Sequence, residues 1–289
     1  MAEPRQPAPA TRALLLTILG EFVLPGGTSV FGESLVEALA AVGVRGATAR
    51  QVLLRTHRAG WLLRERDGRR ARWRLSATMA HTLADGARRI YAFGPSEQWD
   101  RCWRIVVIRP STAAASAGRR RLRAHLLWSG LRPLAPGVWI TPHEERAAEA
   151  LAGLGSVATG VETALFRAEA AGDLPALLRR VFVLAPVHSE YQAFLRTFGR
   201  LAPADDRAAF AAQVRLVDAW RRFPLRDPGL PAALLPADWV GSRARRLFQA
   251  RHAQWAVPAR RWFEGTAPGA GVAEPAPSGS GPSRRAASL

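Results

Sequence analysis

Gly46-Ala-Thr-Ala-Arg50-Gln-Val-Leu-Leu-Arg55-Thr-His-Arg-Ala-Gly60-Trp-Leu-Leu-Arg-Glu65-Arg-Asp-Gly-Arg-Arg70-Ala-Arg-Trp-Arg-Leu75 decides how this chain is read. Its first half has helical periodicity. With Ala49, Val52, Leu53 and Thr56 inward, Ala47, Arg50, Gln51, Leu54, Arg55 and Arg58 turn outward. Gly60 punctuates the end of the helix. The second half is two short strand-like runs about Asp67-Gly68, a pair that tolerates positive φ at both turn positions and so signals a hairpin. A two-residue Asp67-Gly68 loop sets Glu65 opposite Arg70. Upstream, Leu14, Leu15, Ile18, Leu19 and Phe22 recur at helical spacing until Leu24-Pro-Gly-Gly, and a second helix is expected from about Phe31 to Val42. Three helices followed by a hairpin make a winged helix-turn-helix, expected over residues 11–90.

Charge points the same way. The 289 residues carry 41 Lys+Arg against 23 Asp+Glu, a formal +18, and every one of the 41 is arginine. That excludes lysine Schiff bases and a P-loop lysine, and it favours a polyanionic partner. Seven arginines fall between Arg58 and Arg74. A helix in the major groove can read guanine with arginine and adenine with glutamine, so Thr48, Arg50, Gln51, Arg55 and Arg58 are candidates for base or flanking contacts with double-stranded DNA. Arg64, Arg66, Arg69, Arg70 and Arg72 are the candidate phosphate contacts of the hairpin. A single cysteine, Cys102, excludes an intrachain disulfide framework and a cysteine zinc site, and it reads as a small buried hydrophobe. The six histidines are scattered without metal-ligand spacing, and Gly153-Leu-Gly155 reads as a turn. No apolar run reaches the roughly 18 residues of a membrane span, and the N-terminus lacks a secretion-signal layout. The expectation is a soluble cytoplasmic protein without a membrane partner.

The rest of the chain is expected to be α+β, then helical. Residues 1–10 are Pro/Ala-rich and flexible, and Met79–Tyr91 forms a linking helix. Strands at Trp103–Ile108, Gly137–Thr141 and Val157–Phe166 alternate with helices at Arg119–Trp128 and His143–Leu151. Over residues 91–172 that order suggests a ferredoxin-like domain. A short helix near Pro175–Arg179 and a strand near Val181–Leu184 follow. From 173 to 264 the pattern is helical: Tyr191, Phe194, Leu195 and Phe198 line one face. Asp205 or Asp206 caps a helix bearing Phe210, Val214, Val217 and Trp220, and Ser242–Phe263 is expected to be interrupted near Pro258. Residues 265–289 are expected to be a disordered tail. Trp99, Trp103, Trp128 and Trp139 read as core, with a cavity for an aromatic acyl group as the alternative.

The chain resembles the PaaX-type transcriptional repressors, the phenylacetate-degradation regulators. The segments that carry the resemblance are Thr11-Arg-Ala-Leu-Leu-Leu-Thr-Ile-Leu-Gly-Glu-Phe-Val-Leu-Pro, Arg50 and Arg55 before Ala59-Gly60-Trp61-Leu62, and Gly68-Arg-Arg-Ala-Arg-Trp-Arg-Leu75. Further on stand Trp99-Asp-Arg-Cys-Trp103, Leu134-Ala-Pro-Gly-Val-Trp-Ile-Thr-Pro142 and Arg222-Phe-Pro-Leu-Arg-Asp-Pro-Gly-Leu-Pro231. Together they span about Thr11 to Glu264. The resemblance implies a winged helix-turn-helix, a central Cas2-like domain of ferredoxin fold, and a helical C-terminal effector or dimerisation domain. It also implies a homodimer on an inverted-repeat operator, without catalytic activity or cofactor, released by an aryl-acyl-CoA effector such as phenylacetyl-CoA. The phosphates of such an effector need cations, for which Arg179, Arg180, Arg221 and Arg222 are the candidates. Arg45 and Gly46 stand where the family offers a capping serine and a polar residue, and Leu54 replaces a small polar residue, which implies a different operator. Pro110-Ser-Thr-Ala-Ala-Ala replaces an acidic turn. The alternative reading is a Cas2-like nucleic-acid-processing nuclease or accessory factor. Cas2 nucleases hold a metal through an aspartate at the end of the first strand, where this chain has Ile108-Arg109.

Overall fold

The computed structural model describes residues 11–26, 29–67, 70–94, 99–109, 116–157 and 160–267. Residues 1–10, Arg69, residues 110–115 and the tail beyond 267 lie outside the described residues.

The chain begins with α1 (Thr11–Ile18), which continues into a π-helical turn (Leu19–Val23) and a 3₁₀ turn (Leu24–Gly26). Then come β1 (Val30–Phe31), α2 (Gly32–Ala41), α3 (Gly46–Arg58), β2 (Leu62–Asp67), β3 (Arg70–Leu75) and α4 (Ala77–Ala92). Ser76 caps α4, its hydroxyl accepting the Met79 N–H at 3.3 Å. The three strands form an antiparallel sheet in the order β1-β3-β2. The hairpin register differs by two residues from the Asp67-Gly68 expectation. Asp67 opposes Arg70, so Glu65 opposes Arg72, and the Glu65 carboxylate instead accepts from Arg74 Nε at 2.8 Å. The pleat explains this pairing: Glu65, Arg72 and Arg74 share one face, opposite Leu62, Trp73 and Leu75.

The middle of the chain is β4 (Cys102–Arg109), α5 (Ser116–Trp128), β5 (Arg132–Ala135), β6 (Val138–Thr141), α6 (Glu144–Ala152), α7 (Leu154–Val157) and β7 (Glu162–Glu169). Its antiparallel sheet runs β5-β6-β4-β7. β4 is buried on both faces. Val106 and Ile108 pack with Leu122, Leu126 and Ala147 of the helices, while Trp103 packs with Ile140, Phe182 and Leu230 on the other side. β5 escaped the sequence reading because Pro133 disrupts the strand pattern; an edge position tolerates it, with a register shift between Pro133 and Ala135. The last strand starts later than expected because α7 occupies 154–157. The expected strand at Val181–Leu184 is absent. Asp173 caps α8 (Leu174–Val181) by accepting the Ala176 N–H at 3.0 Å, and Phe182 turns in to stack on Trp103 at 5.9 Å.

Gly137 closes the β5–β6 turn at φ 73° and sends its carbonyl to the Ile108 N–H at 2.7 Å. A Cβ there would lie 2.8 Å from the Ile108 carbonyl oxygen. Gly137→Ala is expected to cost about 1–3 kcal/mol in urea unfolding, from left-handed strain and this collision; a loss under about 0.5 kcal/mol contradicts the turn.

The remainder is helical: α9 (Ala185–Gly199), α10 (Asp206–Trp220), α11 (Phe223–Arg226) and α12 (Gly241–Gly265). Asp205 caps α10, accepting the Ala208 N–H at 2.7 Å. α12 is continuous through Pro258, contrary to the expected interruption. Trp255, Ala259 and Phe263 on either side of the proline are all buried against neighbouring elements, and that packing holds the helix together around one missing N–H bond.

Two contacts fix how the first helices sit on the last. Phe22, Phe210 and Phe263 join one apolar cluster, with the Phe22 ring centroid 4.7 and 5.3 Å from the other two. Beside them Glu21, on the π-helical turn, accepts from His252 at 2.8 Å, from Gln213 at 3.2 Å and from the Tyr91 hydroxyl. Burial alone would raise the Glu21 carboxyl, but the hydrogen bonds from His252 and Tyr91 outweigh it and hold its pKa below the ordinary value. The middle sheet is tied in through the loop after α11. Asp227 accepts from the Tyr191 hydroxyl and the Gly229 N–H, both at 2.7 Å. Arg146 donates to the Pro228 carbonyl at 2.9 Å, and His143 Nε2 to that of Gly229 at 2.6 Å.

Candidate nucleic-acid interface

α3 divides as its sequence requires. Ala49, Val52, Leu53 and Thr56 are buried, and Arg50, Gln51, Leu54, Arg55 and Arg58 are exposed. Leu54 stands 43% exposed in the middle of that polar arc, an apolar side chain among charged ones. Thr48 is half-buried, at the edge of a cavity rather than on the open arc. Thr56 returns its hydroxyl to the Val52 carbonyl at 2.7 Å, which removes its polarity from the core.

The last turn of α3 is pinned to the hairpin. His57 Nδ1 hydrogen-bonds the Leu62 carbonyl oxygen at 2.8 Å, and the His57 ring meets the Trp73 ring edge-on at 5.5 Å between centroids. The polar arc of the helix and the root of the ribbon are therefore one surface. Register sorts the ribbon arginines onto two faces. Arg64 opposes Trp73 and Arg66 opposes Ala71, on the face continuous with Leu62. Arg70, Arg72 and Arg74 lie on the other. Arg64, Arg66 and Arg70 are exposed. Arg72 is half-buried, with its guanidinium 4.5 Å over the Phe31 ring, and Arg74 is engaged by Glu65. Two arginines can thus face the same side as α3, and Arg70 and Arg72 extend the positive surface around the ribbon's far side.

The four arginines expected to meet effector phosphates fall in two pairs. Arg179 and Arg180 lie in the last turn of α8. Arg221 and Arg222 both clamp Asp218, at 2.9 and 2.8 Å. Of the four, only Arg222 lines a described cavity. That cavity also involves Arg45 and Arg215, which sequence reasoning missed because they are far apart in the chain and neither sits in a motif. The tryptophans separate as well. Trp103 and Trp139 are core residues of different clusters, whereas Trp128 is 46% exposed beneath the Arg89 guanidinium, 4.8 Å from its ring. Cys102 is buried. At the end of β4, Arg109 pairs with Glu162 at 3.7 Å, and among the described residues no three of His, Cys, Asp and Glu gather as a metal site. No helix among the described residues is long and apolar enough to cross a membrane.

Comparison with known proteins adds three family-model matches in succession: "PaaX-like protein" over residues 10–79, "PaaX protein central Cas2-like domain" over 96–175 and "PaaX-like protein C-terminal domain" over 182–265. Among curated proteins, the Transcriptional repressor PaaX of Escherichia coli (strain K12) is 28% identical over 247 residues, covering 81% of this chain and 77% of that one. Among solved structures, the uncharacterized protein Rv0674 from Mycobacterium tuberculosis superposes with a TM-score of 0.57 at 22% identity, covering 88% of this chain and 99% of that one, a likeness of fold.

Proposed function

The chain belongs to the PaaX-like family, and from that premise we propose that it is a DNA-binding transcriptional repressor rather than an enzyme, with α3 as its reading helix. The observation that carries this is the His57 junction, which makes the polar arc of α3 and the arginine ribbon a single exposed cationic surface. In this reading residues 11–90 form a winged helix-turn-helix, 91–172 a ferredoxin-like domain, and 173–264 a helical effector or dimerisation domain. Arg50, Gln51, Arg55 and Arg58 enter the major groove, with Thr48 at its edge. Arg64, Arg66, Arg69, Arg70 and Arg72 hold phosphates. The repressor acts in the cytoplasm as a homodimer on an operator and is released by an aryl-acyl-CoA, with Arg179, Arg180, Arg221 and Arg222 as candidate phosphate contacts. The exposed edge strand β7, where Leu165 and Phe166 are 44% and 53% exposed, supports the homodimer reading.

Two substitutions test the interface. Arg70→Ala is expected to weaken binding alike on all duplexes and to reduce the slope of log affinity against log salt by about 1, the signature of one lost phosphate contact. Gln51→Ala is expected to leave that slope unchanged and relax base preference at one position by about tenfold. The measurement is fluorescence anisotropy with operator and scrambled duplexes from about 50 to about 200 mM salt, the range over which phosphate contacts weaken most visibly. If neither variant changes operator or non-specific affinity, DNA does not bind on this surface.

A further inference from the structure

Leu54 places an apolar side chain where α3 is otherwise polar. The buried set Ala49, Val52, Leu53 and Thr56 faces the core. At about 100° per residue, Leu54 lies roughly opposite that set, close to the midline of the arc formed by Arg50, Gln51, Arg55 and Arg58. It is 43% exposed and joins none of the apolar clusters among the described residues. The seam cavity at the start of the helix, which Arg45 and Thr48 line with Phe198, Leu201 and Arg215, does not include it. An exposed leucine by itself asks for no explanation. This one stands between guanidiniums, with Arg50 one turn before it, Arg58 one turn after it and Arg55 beside it. Those charges hold water against its methyl groups in the free protein, and covering the arc is what would release it.

The major groove of B-form DNA offers such a surface one partner. Its base edges present hydrogen-bond donors and acceptors everywhere except at the methyl on C5 of thymine. We propose that Leu54 is a specificity-determining residue that packs on the C5-methyl of a pyrimidine, which in unmodified DNA is thymine. The inference rests on the reading of α3 as the groove helix. Leu54 follows Gln51 by three residues, about 4.5 Å along the helix axis. That is close to the roughly 3.4 Å step between base pairs, so the two side chains fall over neighbouring pairs. The contact excludes as well as selects. Over a guanine–cytosine pair the leucine covers donors and acceptors without answering them, which costs more than the absence of a methyl group.

The test begins with selection of duplexes from a random-sequence pool by the full chain, wild type and Leu54→Ala in parallel. The wild-type consensus is expected to fix a thymine at one position beside the base set by Gln51, and the Leu54→Ala consensus to leave that position open. Anisotropy titrations on the selected duplex then isolate the methyl group. Deoxyuridine in place of that thymine should weaken wild type by about two- to fourfold, the worth of one buried methyl group. Leu54→Ala, too short to reach, should show none of that penalty. A cytosine–guanine pair there should cost wild type about tenfold, and 5-methylcytosine should recover the methyl's share of the loss. The deoxyuridine change is made in the DNA, so misfolding cannot imitate it, and alanine is the better helix former at this exposed site. If no single deoxyuridine costs wild type more than about 1.5-fold, or if Leu54→Ala keeps the whole penalty, Leu54 touches no methyl group. A selected duplex whose preference still changes in Gln51→Ala then leaves the reading of α3 standing. If the wild-type chain enriches no sequence from the pool, the repressor reading falls and this inference with it.

Discussion

Phe210→Ala is expected to lower the unfolding free energy by about 3–5 kcal/mol, a large part of the roughly 5–15 kcal/mol that folded proteins possess. Phe210 is fully buried on α10, with ring centroids 4.7 Å from Phe22, 4.6 Å from Trp262 and 5.9 Å from Phe263. Its neighbours belong to both ends of the chain, so the void opens where the first helices rest on α10 and α12. Such a truncation is costly because the surrounding rings forfeit dispersion attraction on several sides at once. Urea unfolding followed by circular dichroism and by tryptophan fluorescence supplies the measurement. Both signals should move to lower urea together, because the cluster is shared. Leu225→Ala, at a residue 42% exposed, should change stability by less than about 0.5 kcal/mol. A loss under about 1 kcal/mol for Phe210→Ala would show that the two ends do not share a core.

The second large effect concerns acid. Burial first, and then the neighbouring Arg146 charge, push His143 down to about 4. Its ring is therefore neutral in the folded chain, and donation to the Gly229 carbonyl places the proton on Nε2. The ordinary value is 6.5. Above that pH neither the folded nor the unfolded chain binds this proton, and the contribution of His143 is intact. As pH falls from 6.5 to about 4 the unfolded chain takes up the proton and the folded chain does not, so stability declines by about 3 kcal/mol at roughly 1.36 kcal/mol per unit. Asp227 works in the opposite sense: burial raises its carboxyl despite the Tyr191 and Gly229 hydrogen bonds, so protonation at low pH relieves the folded state. His143→Gln keeps a donor for Gly229 and removes the titration. The stability lost between about pH 7.5 and about pH 4.5 should be smaller in this variant by about 2–3 kcal/mol. Equal losses in the two proteins would mean that His143 is not held neutral.

Local chemistry was legible in the sequence wherever one element decided it. The buried face of α3 follows from period alone, since Ala49, Val52, Leu53 and Thr56 are the set that leaves every arginine outside. The cap of α10 reads as Asp205 or Asp206 from their position before an apolar repeat, and the structure selects Asp205. The hairpin was legible as a hairpin, but not in register. Asp67-Gly68 marks a turn without saying which residues pair last, and a shift of two residues along the partner strand replaces Arg70 with Arg72 as the residue that Glu65 faces. Pro133 concealed an edge strand and Pro258 suggested a break, because a proline's local penalty is visible in sequence and the packing that absorbs it is not. Least legible was whatever two distant segments build together. The seam cavity joins residues 11–48 to residues 197–222, the Phe22–Phe210 contact crosses the same distance, and no spacing rule connects them.

The π-helical turn at Leu19–Val23 carries one more residue than an α-helical path would need, and that surplus helps to aim Glu21 at His252, Gln213 and Tyr91. Deleting Gly20 would let the helix regularise and swing the segment before it by about 100°, the angular step of one residue. A substitution here removes one contact, whereas a one-codon deletion would rotate α1 out of phase with everything it packs against. Related chains should therefore keep the length of this stretch even where individual side chains differ.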